Sequence, residues 1–122
     1  MSDSKELLGK VAIVTGAGRN IGRAIALQLA QAGASVIVNA RSNKDEAGDV
    51  VAAIEAAGGK AIAAIGDIAD PAAVAGIVDT ALKSFGRIDI LVNNAALRRE
   101  KPVDQMTYAE WREVMNLSLI HI

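Results

Sequence analysis

The 122-residue chain contains no cysteine. Disulfides, thiolate metal sites and a cysteine nucleophile are therefore excluded. Aromatic residues make up only 2%, namely Phe85, Tyr108 and Trp111. The interior must be filled by alanine, valine and isoleucine, and such small and β-branched residues suit parallel strands covered on both faces by helices. Neither sign of charge dominates, with 13 Lys+Arg against 14 Asp+Glu and a net charge of -1. Binding to nucleic acid or an anionic membrane through bulk positive charge is not expected. No apolar run approaches the roughly 18 residues of a membrane span. The opening residues carry no basic stretch followed by an apolar one, so no secretory signal is read and the expected location is the cytoplasm.

What the chain does have is 52% hydrophobic and 22% charged residues, the balance of a folded domain. Residues 10–15 form an apolar run without polar alternation, which predicts a strand buried on both faces. A glycine-containing turn follows at 16–22. Ile21, Ala24, Ile25, Leu27, Leu29 and Ala32 then predict one apolar helix face, stopped by Gly33. Further strands are predicted at 35–39, 61–65 and 88–92. A second helix spans about 45–57, with Val50, Val51, Ile54 and Ala57 inward and Gly58-Gly59 at its end. The acids of Lys44-Asp45-Glu46 suit its N-terminal dipole. Asp70-Pro71 is a helix-start signal, and the helix runs through Val74, Ile77, Val78, Ala81, Leu82 and Phe85 to a stop at Gly86. A charged loop, including Arg98-Arg99-Glu100-Lys101, covers 95–106, and Thr107 caps a last helix through Trp111 and Val114.

This alternation predicts an α/β fold, the first half of a Rossmann-type doubly wound parallel sheet with strand order 3-2-1-4. Its ligand crevice lies at the switch point between strands 1 and 4. Strand 4 is expected to be an exposed apolar edge, which invites association and makes the isolated chain poorly soluble or partly molten.

The turn Thr15-Gly16-Ala17-Gly18-Arg19-Asn20-Ile21-Gly22 is built for an anion. Glycines let the backbone approach a pyrophosphate, and the following helix presents free N–H groups. A P-loop would need Gly-Lys-Ser/Thr, but Gly22 is followed by Arg23-Ala24. The G-x-G-x-x-G pattern fails because Ile21 holds the place of its third glycine. What fits is Thr-Gly-x-x-x-Gly-x-Gly with Asn20 at the middle glycine, a residue tolerant of positive φ.

That pattern resembles the classical short-chain dehydrogenase/reductase family. Asp67, just after the third strand, matches the family's acidic residue near the adenine ring, with Ile68 beside it. Asn93-Asn94-Ala95-Ala96 resembles the family's Asn-Asn-Ala-Gly, with Ala96 in place of glycine. The approach Phe85-Gly86-Arg87-Ile88-Asp89-Ile90-Leu91-Val92 is similar as well. The resemblance covers about residues 7–116 and implies a nicotinamide dinucleotide held by Gly16, Gly18, Arg19, Asn20, Ile21, Gly22, Asp67, Ile68, Asn94, Ala95 and Ala96.

The choice of dinucleotide is read from the end of the second strand. An acid there holds a free ribose 2′-hydroxyl, but the position is Ala40 and Arg41 follows. Arg41 and Arg19 favour a 2′-phosphate, with Ser42 and Asn43 as further donors, so the expected cofactor is NADP(H).

The family interconverts carbonyls and alcohols by hydride transfer, using a serine and a Tyr-x-x-x-Lys motif. Here the single tyrosine, Tyr108, is followed four residues on by Arg112. No catalytic residue is assigned; counting from Trp111 reaches Ser118 where the family has an asparagine, and Asn116 is out of register. No metal site is expected. The stretch 117–122 also matches the translation of CTG TCT CTT ATA CAC ATC, similar to a transposon end used in sequencing libraries. It is expected to be adapter-derived, leaving 1–116 as an NADP-binding half-domain and His121 outside functional reasoning.

Three functional readings follow. One is the N-terminal fragment of an NADP(H)-dependent oxidoreductase, inactive alone, whose full-length form acts on a small carbonyl or alcohol and is a homo-oligomer. Reductases of 3-oxoacyl thioesters are the nearest resemblance. The second is a non-catalytic, redox-sensing dinucleotide module. The third is a truncation product without activity.

Overall fold

The computed structural model describes residues 6–94 and 120–121. Five parallel strands form one sheet: β1 (Val11–Val14), β2 (Ser35–Ala40), β3 (Lys60–Ile65), β4 (Ile90–Val92) and β5 (Ile120–His121). Three helices connect the first four, α1 (Asn20–Gln31), α2 (Lys44–Ala56) and α3 (Pro71–Phe85). The strand order is β3-β2-β1-β4-β5. The predicted doubly wound order is therefore present, and the chain reverses its direction of travel across the sheet between β1 and β4.

Alternation along the strands sends side chains into two cores. Ala12, Val14, Val36, Val38, Ala61, Ile90 and Val92 meet Ala26 and Ala30 of α1 and Ala47, Val50 and Ile54 of α2. Ile13, Ile37, Ala64 and Leu91 meet Val74, Ile77, Val78 and Ala81 of α3 on the other face. Each fully buried valine or isoleucine contributes about 2 kcal/mol of transfer free energy, so covering both faces is what holds the strands together.

The helix signals in the sequence do what they predict. Asp70 accepts a hydrogen bond from the Ala72 N–H at 3.0 Å with Pro71 opening α3, and Gly86 ends it at φ 82°. Gly33 and Gly58, at φ 105° and 93°, follow α1 and α2.

Three expectations need correction. The sheet-facing side of α1 is Gly22, Ala26 and Ala30, while Ile21 and Ala24 are exposed and Ile25, Leu27 and Leu29 only half-buried. A stripe of minimal side chains at i, i+4 and i+8 lets the helix axis come close to the sheet, which the larger residues would prevent. Second, the fourth strand begins at Ile90 rather than 88, because Asp89 turns its carboxylate onto the Val11 N–H at 2.9 Å where a ladder carbonyl would otherwise sit. Third, β4 is not the sheet edge. Ile90 and Leu91 pair with Ile120 and His121, so the edges are β3 and β5, and β5 falls within the stretch singled out by the codon match. The predicted loop at 95–106 and the helix capped by Thr107 lie outside the described residues.

Candidate functional site at the switch point

The C-terminal ends of β1 to β4 gather at one rim, and buried polar groups tie them together. Asn39, 1% exposed at the end of β2, is the central knot. Its side-chain amide donates to the carbonyls of Ala64 at 3.0 Å and Gly66 at 3.1 Å, beyond β3. Its side-chain oxygen accepts from the Gly16 N–H at 3.3 Å, and its backbone carbonyl accepts from the Ala17 N–H at 2.7 Å. One amide thus fixes the glycine turn against two neighbouring strands. Sequence reasoning assigned Asn39 no role. The available signal was a lone amide ending the apolar run Val36-Ile37-Val38, since a buried amide must find partners.

On the other side of the turn, the Thr15 hydroxyl lies 3.3 Å from both the Val92 carbonyl and Asn93 Oδ1. Asn94, also 1% exposed, donates from Nδ2 to the Gly16 carbonyl at 3.1 Å. The turn has left-handed backbone at Gly16 (φ 62°) and Asn20 (φ 56°), the latter being the single non-glycine residue of positive φ among those described. The tolerance expected of asparagine at that position is therefore used. Gly22 is required by space: a Cβ there would stand 2.1 Å from the Gly16 carbonyl oxygen and 2.7 Å from Asn94 Nδ2.

The turn delivers the chain into α1 with its N-terminus open. α2 is capped by Asn43, which accepts from the Glu46 N–H at 3.0 Å, and α3 by Asp70. α1 begins after Arg19 with no side-chain cap and no acid in its first turn. Its first N–H groups and the positive end of its dipole face the rim, which suits an anion. Ile21 stands in the open beside them, 66% exposed.

The remaining predicted residues spread along the rim. Arg41 follows β2 directly, and its Nε lies 3.2 Å from Asp67 Oδ2. Asp67 also accepts the Ala69 N–H at 2.9 Å. Arg19 Nη1 lies 4.0 Å from Glu46 Oε2. Both arginines remain mostly exposed, at 63% and 66%. Ser42 is exposed between Arg41 and the α2 cap. Ile68 is 3% exposed, its side chain packed into the α3-side core. A side chain at Gly18 would meet Glu46 and Ala40. Ala95 and Ala96 lie outside the described residues, as do Tyr108 and Arg112.

A cavity of about 1020 Å³ lies at the opposite end of the strands, against Ser35, Lys60 and the C-terminal turns of α1 and α2. It contains none of the glycine-turn residues, so its size does not make it the site. Among the described residues no helix is long and apolar enough to cross a membrane.

Residues 10–121 match the family of short chain dehydrogenases. Over 117 residues the chain is 43% identical to an uncharacterized oxidoreductase of Methylorubrum extorquens, covering 96% of this chain and 47% of that protein. It is 41% identical to a hydroxynaphthalene reductase of Aspergillus fumigatus, covering 92% of this chain and 41% of the relative. The chain thus spans less than half the length of these curated relatives. Among solved structures, a hydroxysteroid dehydrogenase from Escherichia coli superposes with a TM-score of 0.81 at 35% identity, over 94% of this chain and 54% of that one. A 7α-hydroxysteroid dehydrogenase complexed with NADH and 7-oxo glycochenodeoxycholic acid gives the same score and identity, over 94% and 50%.

Proposed function

The chain belongs to the short-chain dehydrogenase/reductase family, and from that premise we propose that it is the cofactor-binding part of an NADP(H)-dependent oxidoreductase that interconverts a carbonyl and an alcohol. Oxidoreductase and a nicotinamide dinucleotide follow from the family and from a neighbour holding NADH. The finer reading, NADP(H), rests on this chain's own rim. Ala40 stands where an acid would hold a ribose 2′-hydroxyl, and Arg19 and Arg41 flank that position.

The observation that carries the proposal is the uncapped N-terminus of α1 at the switch point, reached by a turn in which Gly22 leaves no room for a side chain. Such a cradle fits a diphosphate, whose oxygens take the unpaired N–H groups that neither Asn43 nor Asp70 has an equivalent to satisfy here. Arg19 and Arg41 would hold a 2′-phosphate by charge-assisted hydrogen bonds. Ile21 would cover an apolar part of the cofactor, and Asp67 would lie toward the adenine. When bound, the nicotinamide supplies or takes up the hydride. Asn94 and Asn39 keep the turn in place through their hydrogen bonds to Gly16. The oxidoreductase names of the relatives give the redox-sensor alternative no support. The whole protein's substrate is proposed to be a small carbonyl or alcohol, the active form a cytoplasmic homo-oligomer, and the present chain without turnover by itself.

Crystals of the chain soaked with NADPH test the site. Difference density is expected against Gly16 and the first turn of α1, with the 2′-phosphate beside Arg41. Density lodged elsewhere would reject the assignment.

A further inference from the structure

Position 40 carries no acid, but a carboxylate from another element stands close by. Glu46 sits in the first turn of α2, where its backbone N–H is taken by the Asn43 cap. A carboxylate at that place in a helix commonly serves the dipole. Here it points across to the glycine turn. A Cβ built on Gly18 would lie 3.3 Å from Glu46 Oε1, 3.2 Å from Glu46 Cβ and 3.7 Å from the Ala40 Cβ. Glu46 therefore stands beside both Gly18 and Ala40, the residue in the place of a strand-end acid. The other carboxylate oxygen of Glu46 is 4.0 Å from Arg19 Nη1, and the side chain is 35% exposed. Across the rim Asp67 stands in the same relation to Arg41, at 3.2 Å. These four groups are two cations and two anions, so each arginine already faces a carboxylate.

We propose that Glu46 is a specificity-determining residue of the adenosine-ribose pocket, its carboxylate opposing a 2′-phosphate and accepting a 2′-hydroxyl. It rests on the dinucleotide reading above and deepens it: the two arginines favour NADP(H), and Glu46 narrows that preference so that NAD(H) is also bound. The physical basis is that a carboxylate on Arg19 must be displaced, or left facing a doubly charged phosphate, when the 2′-phosphate enters. A free hydroxyl meets an acceptor instead.

The test titrates the intact chain with NADPH and with NADH, following nicotinamide fluorescence, for wild type, Glu46→Gln, Arg19→Gln and the double variant. Glutamine keeps the size of Glu46 and removes its charge, and circular dichroism confirms that each variant is folded. Glu46→Gln is expected to tighten NADPH about threefold, the scale of a half-exposed charge pair, with NADH changed much less because the amide oxygen still accepts the 2′-hydroxyl. In the Arg19→Gln background the gain from Glu46→Gln persists in part, because repulsion of the phosphate remains to be relieved. An unchanged NADPH/NADH ratio in Glu46→Gln, or a shift toward NADH, overturns the role of Glu46 while leaving the site intact. Failure of wild type to bind either dinucleotide overturns the site itself and this inference with it.

Discussion

Asn94 and Gly16 are 78 residues apart in sequence and joined at 3.1 Å, the side-chain amide of one donating to the carbonyl of the other. The bond closes β4 onto the glycine turn at the switch point, and Gly22 lies so near both that no side chain fits between them. Two segments that look like separate motifs in the sequence are one physical object.

Replacing Asn94 by Ala should leave the half-buried Gly16 carbonyl without this donor. The expected loss is about 1–2 kcal/mol of unfolding free energy. Asn94→Asp should cost more, because an ionised carboxylate cannot donate and would face a carbonyl. Urea unfolding of the three proteins measures both. Equal midpoints would mean that the bond contributes nothing.

Asn20 occupies left-handed backbone at φ 56°. Asn20→Gly should keep the turn and raise stability slightly, while Asn20→Val should cost about 1–2 kcal/mol because a β-branched residue resists that region. Thermal melts would rank them Gly, Asn, Val. Any other order would place the strain elsewhere.

Much of this was legible in the sequence because it is local. Asp70-Pro71, Gly33 and Gly86 act through their own backbone, so composition at those points decides helix limits. The apolar runs forecast β1 to β4, and the helical, right-handed crossovers between them forecast their order. What periodicity could not reveal was depth of approach: α1 turns Gly22, Ala26 and Ala30 to the sheet, and small residues carry little weight in a hydrophobic pattern although they permit the closest packing. Pairings across elements were equally hidden. Nothing near Arg41 in sequence points to Asp67, and nothing in Glu46 beyond its helical position points to Gly18. The pairing of β5 with β4 is a long-range contact of a two-residue strand, too short to leave a pattern in the sequence.

The cofactor preference can be moved at Arg41. Arg41→Asp removes a cation from the 2′-phosphate and places a carboxylate where a 2′-hydroxyl can use it. The NADPH/NADH affinity ratio should fall by about tenfold or more, the scale of one charge-assisted hydrogen bond. Because Asp67 would then face a like charge, Arg41→Gln is the control, with a smaller fall expected. An unchanged ratio in both variants would make Arg41 a solvated surface residue.

At the other end of β1, Asp89 gives stability a pH dependence. Partial burial works against its charge, but hydrogen bonds from Arg87 and the Val11 N–H, with the positive charges of Arg87 and Lys10, outweigh it and hold the carboxyl below its usual range. The geometry agrees: Arg87 Nη2 reaches Oδ1 at 2.7 Å and Nε reaches Oδ2 at 2.8 Å, while the Val11 N–H donates to Oδ2 at 2.9 Å. A folded-state value below the unfolded one means that the unfolded chain binds the proton more readily. The stabilisation is therefore complete above the unfolded aspartate value, about 3.9, and is lost as pH falls through the folded value. Asp89→Asn should remove this contribution at pH 7 and flatten the acid limb. Urea unfolding of wild type and Asp89→Asn between pH 7 and pH 3 should give curves that converge on acidification. If the gap between them stays constant, the carboxylate's charge is not what joins β4 to β1.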